Sequence, residues 1–395
     1  MSEWKELSSI TSKIGSGLTP RGGNSVYTDN GISLIRSQNV LDMDFSTENL
    51  AYIDEVQAEK LKNVIVEKND ILLNITGDSI ARCTIVPEEI LPARVNQHVS
   101  IIRCKNTEQS KYVMYYLQYI KKYLLQISKV GGTRNALTKE AIGKLPIKIS
   151  DDCNKISKIL DNIDQKIHTN NQINQELEAM AKTLYDYWFV QFDFPDQNAK
   201  PYKSSGGKMV YHPELKREIP EGWGVESVGN LLDKVTKAEK IENNSIEFIG
   251  EIPVIDQSQK YIAGFTNNEN AILQPQDGHV IFGDHTRVVK YINFDYARGA
   301  DGTQVLISNN ENISNVLLYH MIEDFDLSNY GYARHFKFLK EKTVIVPDKE
   351  VSSKFETQAN VIYEKIKNNI FENQELTQLR DWLLPMLMNG QVKVE

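Results

Sequence analysis

Residues 155–189, KISKILDNIDQKIHTNNQINQELEAMAKTLYDYWF, return 199 positions later at 354–388 as KFETQANVIYEKIKNNIFENQELTQLRDWLLPMLM. The shared centre is Asn174-Gln175-Glu176-Leu177 against Asn373-Gln374-Glu375-Leu376, with Lys166-Ile167 matching Lys365-Ile366. Both copies follow a 4,3 spacing. The first seam reads Ile156, Leu160, Ile163, Ile167, Asn170, Asn174, Leu177, Ala181, Leu184, Trp188. The second reads Phe355, Ala359, Ile362, Ile366, Asn369, Asn373, Leu376, Arg380, Leu383, Leu387. Apolar residues at this spacing form the buried edge of a long helix that packs on a partner helix. Two asparagines interrupt each seam at the same place, and a buried Asn costs stability but fixes register and partner. Two unrelated helices with ordinary core stripes would not keep their offset through about 35 residues. The expectation is a duplicated long helix whose copies pack on each other.

Working outward, the 395 residues suffice for two to three domains. No run approaches the roughly 20 apolar residues that span a bilayer, and MSEWKELSSI lacks the regions of a secretory signal. Cys83, Cys104 and Cys153 are few and scattered, which reads as free thiols in a reducing cytoplasm. The net charge of −8 speaks against a simple whole-surface nucleic-acid binder. Its distribution softens that objection. Residues 1–150 hold 19 Lys/Arg against 16 Asp/Glu, whereas 223–348 hold 11 against 18. Any DNA contact by the second region needs a local basic patch or positive surface on a partner.

Residues 1–150 read as a mixed α/β domain. Turn-rich Gly15-Ser16-Gly17-Leu18-Thr19-Pro20-Arg21-Gly22-Gly23-Asn24 opens it, with strands expected at Ile32–Ile35, Ile71–Ile75, Val99–Ile102 and Leu145–Ile147. Helical spacing runs over 108–128, and a Gly-rich turn at 131–135 follows it. The central long helix occupies 151–190. Residues 191–222 hold four prolines and Ser204-Ser205-Gly206-Gly207, a connector in which the chain reverses. Residues 223–348 repeat the first domain faintly. Gly283-Asp284 followed by Arg287 echoes Gly77-Asp78 followed by Arg82, and Gln304 before a strand echoes Gln97 before one. A helix near 312–325 is introduced by Ser308 and Glu311 at capping-box spacing. Residues 349–395 are the second long helix and tail. The fold class is therefore α+β: two mixed α/β globular domains and two long helices forming an antiparallel coiled coil, in a tandem duplication with pseudo-two-fold symmetry. A helix of about 35 residues is roughly 50 Å long, more than the roughly 34 Å of one DNA turn. Such a spacer suits a ligand with two half-sites and a gap.

Catalytic signatures are missing. There is no G-x-x-x-x-G-K-[ST] loop, no Asn/Asp-Pro-Pro-aromatic motif of the amino-methyltransferases, and no histidine pair at metal-ligand spacing. The fragments Glu3-Trp4-Lys5 and Pro347-Asp348-Lys349 are too short to carry a nuclease assignment. No catalytic or metal-binding residue is assigned.

Several stretches in order resemble the DNA-specificity subunit of Type I restriction–modification systems. They are Gly17-Leu18-Thr19-Pro20 with Gly31 to Val40, Thr76-Gly77-Asp78-Ser79-Ile80-Ala81-Arg82, Val95-Asn96-Gln97-His98-Val99, Gln172 to Leu177, Leu184 to Phe189, and Ile219 to Trp223. The second domain departs most, since Gly283-Asp284-His285-Thr286-Arg287 keeps only part of its motif. The resemblance implies a subunit that is not itself an enzyme, carrying two target-recognition domains at 1–150 and 223–348. Each reads one half of a split, asymmetric sequence in double-stranded DNA, and the paired helices set the gap. It further implies docking of two methyltransferase subunits, which use S-adenosylmethionine on adenine N6, and of motor/nuclease subunits, which use ATP and Mg. No cofactor is expected in this chain.

Base reading needs Arg or Lys for guanine and Asn or Gln for adenine. In the first domain the polar turns offer Arg21, Asn24, Arg36, Gln38, Arg82, Asn96, Gln97, Lys129, Arg134 and Asn135; in the second, Arg287, Lys290, Arg298, Gln304, Arg334, His335 and Lys337. Read alone, any one of these is equally a solvated loop charge. Arg134 and Arg334 stand out because a Gly-rich turn lets backbone approach a ligand closely. Tyr185, Tyr187, Trp188 and Phe189 suit the opposite helix or a docked subunit. The rival readings are a coiled-coil scaffolding adaptor without DNA specificity and a self-contained modification enzyme.

Overall fold

The computed structural model describes residues 3–129, 135–233, 235, 238–300, 302–331 and 334–394, apart from the side chains of Asn24 and Tyr330. The chain falls into two compact units: Met1–His168 with Asn373–Glu395, and Thr169–Glu372.

In the first unit the strands are β1 (Glu3–Glu6), β2 (Thr11–Ser16), β3 (Ile32–Ile35), β4 (Ala51–Ile53), β5 (Ile65–Val66), β6 (Ile71–Asn74), β7 (Cys83–Ile85), β8 (Ala93–Val95), β9 (Val99–Cys104) and β10 (Pro146–Ile149). They form an antiparallel sheet β2-β9-β6-β7, a mixed sheet β4-β3-β8-β5 and a ribbon β1-β10. Only β3 and β8 of the mixed sheet run parallel. The run Ile71-Leu72-Leu73 is apolar throughout because β6 is covered on both faces. Ile71 and Leu73 pack with the helix Ser110–Tyr119, while Leu72 faces the second sheet. Side chains alternate across a strand, so one segment serves two cores.

The second unit repeats this layout. Its strands are β11 (Met209–His212), β12 (Arg217–Pro220), β13 (Gly224–Ser227), β14 (Leu232–Asp233), β15 (Lys240–Ile241), β16 (Ile252–Ile255), β17 (Gly264–Thr266), β18 (Ile272–Leu273), β19 (His279–Gly283), β20 (Val289–Ile292), β21 (Tyr296–Gly299), β22 (Thr303–Ser308) and β23 (Thr343–Val346). The sheet β14-β22-β19-β20 matches the first unit's antiparallel sheet, and β15-β21-β16-β17, with β18 on β21, matches the mixed one. Again the counterpart strands β16 and β21 are parallel. Val280 and Phe282 pack with the helix Asn315–Glu323, and Ile281 faces the other sheet. The two-sheet domain is duplicated, with β15 and the β11–β12 hairpin added in the second unit.

The long helices are Cys153–Tyr185, the central one, and Lys349–Asn389, the C-terminal one. Every position of both seams is buried or half-buried. In the first unit Ile156 and Leu160 of the central helix share a core with Leu384 and Leu387 of the C-terminal helix. In the second unit Ala181 and Trp188 share one with Phe355, Ala359 and Ile366, with Leu177, Leu184 and Ile362 packed against it. The start of each helix therefore meets the end of the other, and the pairing is antiparallel. Full burial of one such Leu, Ile or Phe contributes about 1.5–3 kcal/mol.

Three local expectations are corrected. The 108–128 helix is two helices, Ser110–Tyr119 and Lys121–Ile127, broken at Ile120. The helix expected at 312–325 begins after Ser314, whose hydroxyl accepts from the Leu317 amide at 3.4 Å. Ser308 cannot serve as its cap because it ends β22. The segment 191–222 is a folded element rather than a loose connector. A five-residue π turn at Asp186–Val190 ends the central helix and puts the consecutive Trp188 and Phe189 both in the core. Phe194 then stacks on Trp223 with centroids 5.0 Å apart, Phe192 meets the same indole edge-on at 5.7 Å, and β11 pairs with β12 as a hairpin.

Candidate nucleic-acid interface

In the first unit the turn at Gly17 lies flat on the end of β8. The Gly17 amide donates to the Asn96 carbonyl at 3.1 Å, and a Cβ there would sit 1.7 Å from the Val95 carbonyl oxygen. Only glycine permits that approach. It brings Thr19 to the β8–β9 turn, where its hydroxyl donates to Gln97 Oε1. Gln97 Nε2 in turn meets His98 Nε2 at 2.9 Å, and His98 Nδ1 meets Thr76 Oγ1 at 2.6 Å. A hydrogen-bonded chain thus ties together three segments of the matched motifs. Asn135 is exposed beside it, next to Ala136, which bridges to Thr76.

A second turn, 36–40, is held from below. Fully buried Asn39 accepts from the Arg36 amide at 3.0 Å, and fully buried Asn74 donates to the Ser37 carbonyl at 2.8 Å. This presents Gln38 to solvent and leaves Arg36 half-buried. The Arg36 guanidinium lies 5.6 Å from the Tyr27 ring centroid and donates to the Asn49 carbonyl at 2.5 Å. Arg21 and Lys129 are exposed and Arg82 is half-buried. Asn96 is buried and accepts from the His98 amide at 3.0 Å, so it shapes the turn instead of reading bases. Arg134 and the Asn24 side chain lie outside the described residues.

The second unit centres on buried Asp284. Its carbonyl accepts from the His335 amide at 2.9 Å and from His335 Nδ1 at 3.0 Å, and its Oδ1 accepts from the Phe336 amide at 2.9 Å. Two loops are thereby locked together. Arg287, in left-handed backbone at φ 64°, stands exposed on one; Arg334 stands exposed on the other, and Lys337 is exposed on the helix His335–Lys340 that follows it. Thr286 Oγ1 donates to the Gln257 carbonyl at 2.6 Å, and Gln257 Oε1 accepts from the His285 amide at 3.1 Å.

Several sequence candidates here have other roles. His335 is buried at 3% exposure and acts as the clasp on Asp284. Lys290 is 4% exposed, and its ammonium donates to the carbonyls of Asp256 at 2.8 Å and Lys260 at 2.5 Å. Burial lowers its pKa to about 8, with Asp256 pulling weakly the other way. It braces the 256–260 loop and is not offered to DNA. Gln304 is not the counterpart of Gln97. It lies inside β22, paired opposite Phe282, where the first unit has Ser100 opposite Leu73. Arg298 is half-buried within β21.

Exposed guanidiniums on rigid turns fork to guanine or meet phosphate, and carboxamides read adenine. Burial pushes the Cys83 thiol up to about 12 and Cys104 to about 11, and among the described residues no group of three His, Cys, Asp or Glu is placed to hold a metal ion. Among the described residues no helix is long and apolar enough to cross a membrane. Thr19, Asn39, Asn74, Thr76, His98, Gln257 and Asp284 are positioning residues that sequence reasoning passed over. Their signal was present only as membership of quoted stretches, and Gln257 lay outside all of them.

Residues 6–179 match the Type I restriction modification DNA specificity domain. The chain is 26% identical to the Type I restriction enzyme MjaIX specificity subunit of Methanocaldococcus jannaschii, across 77% of this chain and 74% of that one. It is 22% identical to the HindI specificity subunit of Haemophilus influenzae, across 99% and 100%. The crystal structure of a Type I restriction–modification S subunit from M. genitalium shares the fold, with a TM-score of 0.56 at 14% identity over 100% of this chain and 97% of that one. Residues 6–179 thus match a Type I restriction modification DNA specificity domain, and the chain as a whole is similar to specificity subunits of Type I restriction enzymes.

Proposed function

We propose that the chain reads a bipartite, asymmetric DNA sequence, one half-site per unit, and scaffolds the subunits that act on it. The observation that carries this is the duplicated pair of sheets with unlike turns on the repeated frame. The turn after β3 holds Arg36 and Gln38 where the counterpart after β16 holds Asp256 and Gln257, and the β8–β9 turn holds Gln97 where the β21–β22 turn holds Gly302. The second unit's own exposed cations are Arg287, Arg334 and Lys337. Equal scaffolds with different polar tips suit two different short sequences, and the paired helices then set the gap between them. The other proposed reading candidates are Arg21, Asn135 and Lys129.

Two methyltransferase subunits are the proposed partners of the long helices. Met180 and Leu379, 199 positions apart, are both exposed apolar residues, and Trp382 beside Leu379 is 57% exposed. Matched apolar spots on duplicated helices suit two copies of one partner. S-adenosylmethionine would serve those subunits, and ATP with Mg the motor/nuclease subunits. The proposed compartment is the cytoplasm.

The test is to co-express the chain with its neighbouring adenine methyltransferase and map methylated adenines across the host genome. The expected result is one gapped, asymmetric motif methylated in both halves. A continuous motif, or methylation that ignores the chain, would overturn the reading.

A further inference from the structure

Both units carry a turn ahead of the counterpart strands β3 and β16 of the mixed sheet, and its chemistry differs between them. In the first, Thr28 bridges to Tyr52, and Asp29-Asn30-Gly31 leads into β3. In the second, Glu247 bridges to Phe265, and Phe248-Ile249-Gly250-Glu251 leads into β16. Asp29 and Asn30 are exposed, as a turn predicts. Phe248 is 99% exposed and Ile249 72% exposed. The turn is nonetheless built: Glu247 and Phe265 exchange both backbone hydrogen bonds at 2.9 and 2.8 Å, and the Glu251 amide donates to Asn267 Oδ1 at 3.1 Å. Holding a phenylalanine in water on a fixed turn forgoes its burial energy, which a partner covering it would recover.

That partner is not DNA. Glu247 and Glu251 flank the pair in sequence and are exposed, and carboxylates repel phosphates. The turn also precedes β16, whereas Asp256 and Gln257 of the reading loops follow it. The two ends are separated by the strand's four residues, roughly 13 Å at about 3.3 Å per residue. An apolar tip flanked by two carboxylates fits a protein pocket with an apolar floor and a Lys/Arg rim.

We propose that Phe248 and Ile249 form a docking knob, unique to the second unit, that seats in a basic-rimmed apolar pocket of one methyltransferase subunit. This rests on the proposed function: an enzyme methylating the half-site read by this unit must lie against the unit itself. The consequence is that two identical methyltransferases are held unequally, one with the knob and one without.

The experiment titrates the purified full chain with its cognate methyltransferase and follows stoichiometry by native mass spectrometry. F248D/I249N, which gives the turn the polarity of Asp29-Asn30, is expected to weaken one of the two copies at least tenfold, so that a 1:1 complex accumulates. E247K/E251K, leaving the knob intact, is expected to weaken the same copy by inverting the rim. Wild-type 2:1 assembly and affinities in both variants would overturn the knob. So would equal weakening of both copies, loss of DNA affinity by the chain alone, or normal 2:1 assembly with only motor-subunit binding lost. If the wild-type chain bound no methyltransferase, the proposed function would fail first, and the knob with it.

Discussion

The side-chain amide of Asn369 donates to the side-chain carbonyl of Asn174 at 2.8 Å, joining the two long helices within their seam. Asn170, the seam partner of Asn369 in the duplication, donates to Glu372 at 2.8 Å. Asn170 and Asn369 are nearly inaccessible. A misregistered pairing would leave these amides buried without partners, so they penalise wrong registers more than they stabilise the right one.

Asn369→Ala should therefore lower unfolding free energy by about 1–2 kcal/mol in urea titration, because Asn174 loses its partner. Replacing both by leucine should restore or raise stability while loosening register. The readout is methylation at sites whose gap differs from the wild-type length. A double variant both less stable and unchanged in gap tolerance would contradict this role.

Arg287→Ala and Arg334→Ala should each cost about 1–3 kcal/mol in binding if they meet base edges. The loss should appear only with DNA carrying the second unit's half-site intact, measured by competition between DNAs altered in one half at a time. Arg134→Ala is expected to act likewise on the other half-site. Uniform weakening with a reduced salt slope would reassign the residue to phosphate contact.

Gly17→Ala tests the first unit's turn. The added Cβ meets the Val95 carbonyl oxygen, so the backbone must move and the Thr19–Gln97 bond must open. Recognition of the first half-site should fall, with stability reduced by about 1–3 kcal/mol. Unchanged recognition in a folded variant would remove this turn from the interface.

Lys290 makes a pH prediction with a definite sign. Its folded pKa is lowered to about 8 from 10.5, so the unfolded chain binds more protons between those values and stability rises with pH across that window. The penalty of the charged form is fully present below about pH 8. Lys290→Met should flatten the rise, worth on the order of 2–4 kcal/mol, in denaturation curves from pH 8 to 10. It should leave DNA affinity near wild type, unlike Arg287→Ala.

The helices were legible because one spacing rule needs no knowledge of the rest of the chain, and Ile156 to Leu387 obey it at both ends. The strand at Ile71–Asn74 was legible for a related reason, since burial on both faces writes an unbroken apolar run. Register is not written that way. Gln304 and Gln97 each stand near a strand start in sequence, and only the β19–β22 pairing sets Gln304 against Phe282. Lys290 reads as a loop cation because the carbonyls that bury it come from 30 and 34 residues away. His335 looked like a contact residue until its bond to Asp284, 51 positions earlier, made it a clasp. Long-range partners decide such cases, and composition carries no trace of them.

The central claim is that each unit reads its own half of the target. It is tested most directly by exchanging residues 223–348 for those of a relative with another target and mapping methylated adenines. The account predicts that one half of the motif changes while the other half and the gap are kept. A change in both halves, or in neither, would contradict it.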